Sequence, residues 1–234
     1  MLVTDHFVYL HLHKSGGTFV NEVLLRHVPG ARMLGYHLPR SHIPPQYRHL
    51  PLLGFVRNPW SYYVSWYHFQ LSLPRQNHLF RCVSDDGRLG FGDTIRRLVT
   101  LGSDDELLDR VAAGLPQDFV GHGLNLPSWA LAPLRGSGLG FYSFLYHHIY
   151  GGEGGSGSAP LYVGRTESLR EDFFAFLKTI RYDPSRILNN YLLDKEVSNK
   201  SPHGKYAEYF DQPLRDLVWE RDRQLIEMFG YRFE

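Results

Sequence analysis

A chain of 234 residues with a formal net charge of +1 has room for a sizeable core, and it is too nearly neutral to grip nucleic acid by charge alone. Its apolar fraction is 43% and its aromatic fraction 15%, while the single cysteine, Cys82, excludes an internal disulfide framework and any zinc site built on cysteines. No apolar run reaches the roughly 18 residues of a spanning helix, and no basic-then-apolar signal opens the chain, so the expectation is a soluble, cytoplasmic protein without a membrane span.

The first informative stretch is FVYLHLHKSGGT. Residues 7–12 are rich in β-formers and short enough for a buried strand. His13, Lys14, Ser15, Gly16 and Gly17 interrupt it. From Thr18 the apolar residues Phe19, Val20, Val23 and Leu24 fall on a helical stripe. Two adjacent glycines let the backbone turn tightly and turn amide N–H groups toward an anion. The following helix adds a positive dipole end, and Lys14 adds a full charge. The nucleotide triphosphatase P-loop puts its lysine after the glycines, whereas here it precedes them.

Pro29-Gly30 marks a turn, and residues 31–50 read as loop with His37, His42 and His49. Leu52–Val56 reads as a second buried strand ending at Arg57. Asn58-Pro59 predicts a helix N-cap followed by proline in the first turn, and residues 60–71 an aromatic-rich helix. Ser65 then lies about two turns into that helix. In an open α/β sheet, ligands bind outside the carboxyl ends of strands, so both loops are expected on one edge. An arginine fork and a hydroxyl suit a phosphate monoester. The plainer alternative makes Arg57 a cap or ion-pair partner and Ser65 a small packing residue.

Lys14-Ser15-Gly16-Gly17-Thr18 resembles the 5′-phosphosulfate loop of sulfotransferases. Arg57-Asn58-Pro59 with Ser65-Trp66-Tyr67 resembles their 3′-phosphate segment, in which an Arg and a Ser stand eight positions apart. The resemblance implies a P-loop-like, three-layer α/β fold with a central, mostly parallel sheet flanked by helices. It also implies binding of 3′-phosphoadenosine-5′-phosphosulfate, with adenosine 3′,5′-bisphosphate as product and no metal. It is closer to the carbohydrate-type and bacterial members; the cytosolic phenol and steroid enzymes carry an Arg-Lys-Gly segment near the C-terminus that is not present here. Residues 1–234 are then expected to form one domain, with 72–150 a helical insertion at the acceptor.

Farther along, residues 93–111 have mixed helical character, with a cap region at Ser103-Asp104-Asp105-Glu106. Residues 119–150 are rich in glycine, aromatics and histidine, and His147-His148 is a weak metal candidate. Residues 151–159, GGEGGSGSA, read as a flexible low-complexity loop too short to separate two domains. Residues 161–164 read as a returning strand, followed by a capping box, Ser168 to Glu171, and a helix burying Leu169, Phe173, Phe176, Leu177 and Ile180. In the family a loop over residues 189–206 closes on the nucleotide, which makes Lys200, Ser201 and Lys205 candidates beside the bland reading of a solvated loop. Asp211-Gln212-Pro213 opens a last helix with Leu214, Leu217, Val218, Leu225 and Met228 inward, closed by Gly230.

The implied reaction moves a sulfuryl group to an acceptor hydroxyl or amine, with Lys14 and backbone N–H groups stabilising the leaving oxygen. The acceptor is expected to be a carbohydrate or another hydroxylated small molecule. A base is needed, and His37 is the choice, because it lies between the two nucleotide segments; His42 is the runner-up, and Glu22 or a residue of the middle region stays open. Two competing readings stand: an atypical P-loop small-molecule kinase, and a catalytically silent nucleotide-binding module.

Overall fold

The computed structural model describes residues 1–151, 159–187 and 204–234. The strands are β1 (Leu2–Val3), β2 (Val8–Tyr9), β3 (Arg32–Met33), β4 (Leu52–Val56) and β5 (Leu161–Arg165). The helices are α1 (Gly17–His27), α2 (Pro59–Ser72), α3 (His78–Val83), α4 (Phe91–Val99), α5 (Asp105–Ala113), α6 (Phe141–Tyr150), α7 (Leu169–Thr179), the single turn α8 (Ser185–Ile187), α9 (Gln212–Arg221) and α10 (Arg223–Phe229). They fall into two compact units, residues 1–57 with 147–200 and residues 58–146 with 201–234.

The first unit is an α/β sandwich around a mixed sheet in the order β3-β1-β2-β4-β5. Its core is parallel: Val8 pairs with Leu52 and Leu52 with Leu161, so β2, β4 and β5 point the same way. The β1 and β3 edge is antiparallel, and both strands are two residues long, too short for a period-2 pattern to show in the sequence. The turn from β1 to β2 is held by the Thr4 hydroxyl, which donates to the Phe7 carbonyl at 2.9 Å and accepts from the Phe7 and His6 amides. One sheet face carries Tyr9, Leu53 and Phe55, and the inward stripes of α1 (Val20, Val23, Leu24) and α7 (Phe173, Phe176, Leu177) close over it. Successive strand residues face opposite ways, so Gly54 looks to the other face, where the ring of Tyr150 lies against it. Helical residues thus cover both faces of the parallel core.

The expected strand over residues 7–12 is shortened to Val8–Tyr9. The ladder runs from the Val8 amide to the Pro51 carbonyl at 3.0 Å and from the Leu10 amide to the Leu53 carbonyl at 2.8 Å. Its next rung would join the Phe55 amide to the Leu10 carbonyl. Instead the Phe55 amide donates to the Tyr150 hydroxyl at 2.9 Å, and that hydroxyl donates to the Phe55 carbonyl at 2.8 Å. The Phe55 groups that would pair beyond Leu10 are thus taken, and the chain leaves the sheet for the loop ahead of α1.

The second unit is helical among its described residues. Asn58 caps α2 by accepting from the Trp60 and Ser61 amides, with Pro59 in the first turn, as the sequence predicts. Residues 93–111 fall in two helices, α4 and α5, separated by a short 3₁₀ turn at Leu101–Ser103, and Asp104, within the expected cap region, caps α5 through the Leu107 amide. The last helix also divides, at Asp222. Met228 is 53% exposed rather than inward, because the buried side of α10 is made by Leu225 and Ile226. Gly230 does end it in the left-handed conformation, φ 64°. The fully buried Asp222 carboxylate accepts from the Tyr63 hydroxyl at 2.7 Å, the Ser143 amide at 2.9 Å and the Ser143 hydroxyl at 2.7 Å.

Candidate functional site

The loop between β2 and α1 has the backbone the sequence asks for. Lys14 (φ 56°) and Gly16 (φ 77°) are left-handed, while Ser15 between them is not. Alternation of this kind turns successive N–H groups toward one concavity, which favours an anion. A side chain at Lys14 in this region is strained by about 1–3 kcal/mol, a feature that concentrates at binding sites. α1 begins at once, with no side-chain cap hydrogen bond and no acidic residue in its first turn, so its positive end is not neutralised by its own residues. Ser15 is buried, with its hydroxyl donating to the His13 carbonyl at 3.2 Å, and Thr18 is exposed at the helix start. Both glycines are demanded by packing as well. A Cβ on Gly16 would lie 2.1 Å from Leu169 Cδ1, and one on Gly17 would lie 1.6 Å from His11 Nε2.

Arg57 closes the other strand end and comes to the same loop. Its guanidinium donates to the Lys14 carbonyl at 3.4 Å. Burial, and then the nearby Arg57 charge, lower the Lys14 ammonium to a pKa of about 8. Two cations held this close, one of them partly desolvated, make the potential at the loop locally positive.

Three histidines pack beside the loop. The His37 ring stacks on His13 with centroids 3.6 Å apart and planes at 15°, and stands 4.4 Å from the His11 ring. His37 Nδ1 lies 2.9 Å from the His11 carbonyl oxygen. A carbonyl only accepts, so Nδ1 carries the proton and Nε2 keeps the lone pair, the tautomer a base needs. Burial, then the charges of His13 and His11, hold His37 well below the usual histidine pKa, which leaves it neutral at pH 7. Its backbone is left-handed at φ 53°. His11 is likewise held low, first by burial, and the buried Asn21 amide of α1 meets its Nδ1 at 3.5 Å. His42 stands apart from this stack on an exposed 3₁₀ turn, its Nδ1 meeting the Ser41 hydroxyl at 3.2 Å.

Of the residues named from sequence, the structure thus gathers Lys14, Ser15, Gly16, Gly17, Arg57 and His37 in the first unit. Ser65 is buried on α2 in the second unit, where Lys205 is exposed ahead of the Tyr206–Tyr209 turn. Lys200 and Ser201 lie outside the described residues. The expected capping box at α7 is not formed. Ser168 makes no cap bond and its hydroxyl turns to Asp172 at 2.9 Å, because Asp172 is held nearby by accepting from the Arg165 amide. The histidine stack and Tyr150 were not anticipated. His11 and His13 are two apart in an extended segment and so share a side, which is the one signal the sequence offered.

Among the described residues no group of three metal-ligating side chains is placed to hold an ion, and no helix is long and apolar enough to cross a membrane. No family model and no curated protein matches the chain. Among solved structures, it is similar to mouse sulfotransferase SULT7A1 complexed with PAP, at 14% identity and a TM-score of 0.45, over 97% of this chain and 88% of that one. At that level of likeness, the residues of the chain itself carry the chemistry.

Proposed function

We propose that this chain is a sulfotransferase that takes 3′-phosphoadenosine-5′-phosphosulfate as donor and an acceptor bearing a hydroxyl group. The observation that supports this most is the meeting of Lys14 and Arg57 at one left-handed, uncapped helix start, with a neutral His37 beside it. The donor fits the residues present: the loop from Lys14 to Thr18 offers backbone N–H groups and a cation for a 5′-phosphate group, and Arg57 offers a fork for the 3′-phosphate.

Bound there, the donor would supply a sulfuryl group whose bond to the 5′-phosphate oxygen breaks as the acceptor oxygen bonds to sulfur. The chain's own part is electrostatic and positional. Lys14 and the N–H groups at the start of α1 stabilise charge that collects on the leaving oxygen. His37 Nε2 takes the acceptor's proton, and its ring is held for this by the His11 carbonyl and the His13 stack. Ser65, Lys200, Ser201 and Lys205 as further nucleotide contacts, the role of residues 72–150 at the acceptor, and a carbohydrate as that acceptor belong to the same proposal.

The experiment is a comparison of binding with turnover in His37→Ala. With labelled donor and a panel of hydroxylated acceptors, transfer should fall by about 10²–10⁴-fold. Affinity for adenosine 3′,5′-bisphosphate should stay within about twofold, since His37 carries no charge for the phosphates to use. Full transfer by the variant would remove His37 from the role of base. A wild type that binds the bisphosphate yet transfers to nothing on the panel would favour a silent nucleotide-binding module.

A further inference from the structure

We propose that Tyr150 is a positioning residue for the nucleotide site: its hydroxyl ends the β2–β4 ladder and so sets the span between the Lys14 loop and Arg57. This inference rests on the function proposed above. Phe55 directs both its N–H and its C=O toward β2, where a continued parallel ladder would pair them with the Leu10 carbonyl and the Leu12 amide. The Tyr150 hydroxyl satisfies both at once, accepting from the amide at 2.9 Å and donating to the carbonyl at 2.8 Å, and it stands 3.5 Å from the Leu10 carbonyl. It sits where the next rung would form, as a wedge between the two strands.

The position of the wedge matters because each strand leads directly into one end of the site. Leu10 is four residues before Lys14, and Phe55 is two before Arg57. Had the ladder continued, Leu12 would have been strapped to β4, leaving His13 and Lys14 a shorter run in which to turn back into α1. With the wedge in place, β2 is freed on one side while β4 stays fixed on the other, where the Thr166 hydroxyl donates to the Val56 carbonyl at 2.9 Å. Tyr150 is itself buried, at 3% exposure, and its ring lies over Gly54, where a Cβ would come within 2.5 Å of Tyr150 Cε1. Glycine in the middle of a core strand costs sheet stability and marks a close approach, here the approach that delivers the hydroxyl. The hydrogen bonds of the hydroxyl go to Phe55 and Leu10, the strand residues that lead into the two ends of the site, so Tyr150 acts through the strands.

The test uses the whole protein and two nucleotides. Adenosine 3′,5′-bisphosphate spans both ends of the site, whereas adenosine 5′-phosphate needs only the loop. Tyr150→Phe keeps the ring and removes the wedge's hydrogen bonds; Gly54→Ala keeps the hydroxyl and pushes the ring away. For each folded variant, calorimetric titration well below its melting midpoint should show the preference for bisphosphate over monophosphate reduced by about tenfold, as expected for a small misplacement of paired groups. A merely structural role would lower the melting midpoint and leave that ratio unmoved. If the wild type prefers the bisphosphate and the folded variants keep that preference within about twofold, the positioning role is overturned while the proposed function stands. If the wild type itself shows no preference, the proposed function falls and this inference with it.

Discussion

The two units bury polar groups in opposite ways. In the helical unit, Asp222 is wholly enclosed, and its two oxygens are met by the Tyr63 hydroxyl and by the Ser143 amide and hydroxyl. That network is closed: each lone pair used is matched by a donor from the chain, and it joins α2, α6 and the α9–α10 junction. In the sheet unit, cations and histidines gather at one strand edge, Lys14 is lowered by burial and Arg57, and the first turn of α1 carries no acid. A closed network serves the fold, because nothing outside the protein can improve it. Cations gathered at a helix start with no acid in its first turn favour an anion from outside.

The largest effect that separates the two is expected at Lys14. Lys14→Ala should lower single-turnover transfer by about 10³-fold, with the melting midpoint within a few degrees of wild type. Loss of the fold instead would place Lys14 with the structural networks. Asp222→Ala should do the reverse: it strands the hydroxyl of Tyr63 and the amide of Ser143, costs about 3 kcal/mol in denaturant unfolding, and spares bisphosphate affinity in the folded fraction. Burial raises the Asp222 carboxyl above its ordinary value of 3.8. The folded state therefore disfavours its ionised form. Stability relative to Asp222→Asn should fall as pH rises from about 4 toward neutrality, and the opposite slope would contradict the burial account.

The smallest expected effect is the pH dependence of binding. Lys14 titrates near pH 8 in the free protein, and a bound phosphate favours its charged form. Affinity for the bisphosphate should be level between about pH 7 and 8, above the second phosphate pKa of about 6, and decline at higher pH, by up to tenfold per pH unit. Lys14→Arg, which stays charged, should remove that decline. His37 is already neutral at pH 7, so the acid limb of transfer should lie well below the usual histidine pKa.

The parallel core and its two loops were legible because they rest on local chemistry. Leu52–Val56 is apolar throughout, Asn58-Pro59 is a start signal, and Gly16-Gly17 admits few alternatives. The antiparallel edge was not, since two-residue strands carry no period. The start of α5 was marked by its acidic cap, whereas the break at Asp222 was missed because helical periodicity runs on past a short non-helical turn, and Asp222 is fixed by partners 79 and 159 residues away. The true end of β2 was hidden for the same reason, in a tyrosine 140 residues from Leu10, where the ladder stops. The two charged residues that the sequence pairs, Lys14 and Arg57, meet at the loop. The tautomer and stacking of His37 required the fold, because they depend on a carbonyl and a ring brought from residues 11 and 13.

The most direct measurement is calorimetric titration of the wild-type protein with adenosine 3′,5′-bisphosphate and adenosine 5′-phosphate, repeated for Arg57→Ala. Two anion-gripping ends on one nucleotide predict that the bisphosphate binds on the order of 100-fold tighter, and that Arg57→Ala erases most of the difference while leaving monophosphate affinity nearly unchanged. Equal affinities in the wild type, or a preference that survives the loss of Arg57, would contradict it.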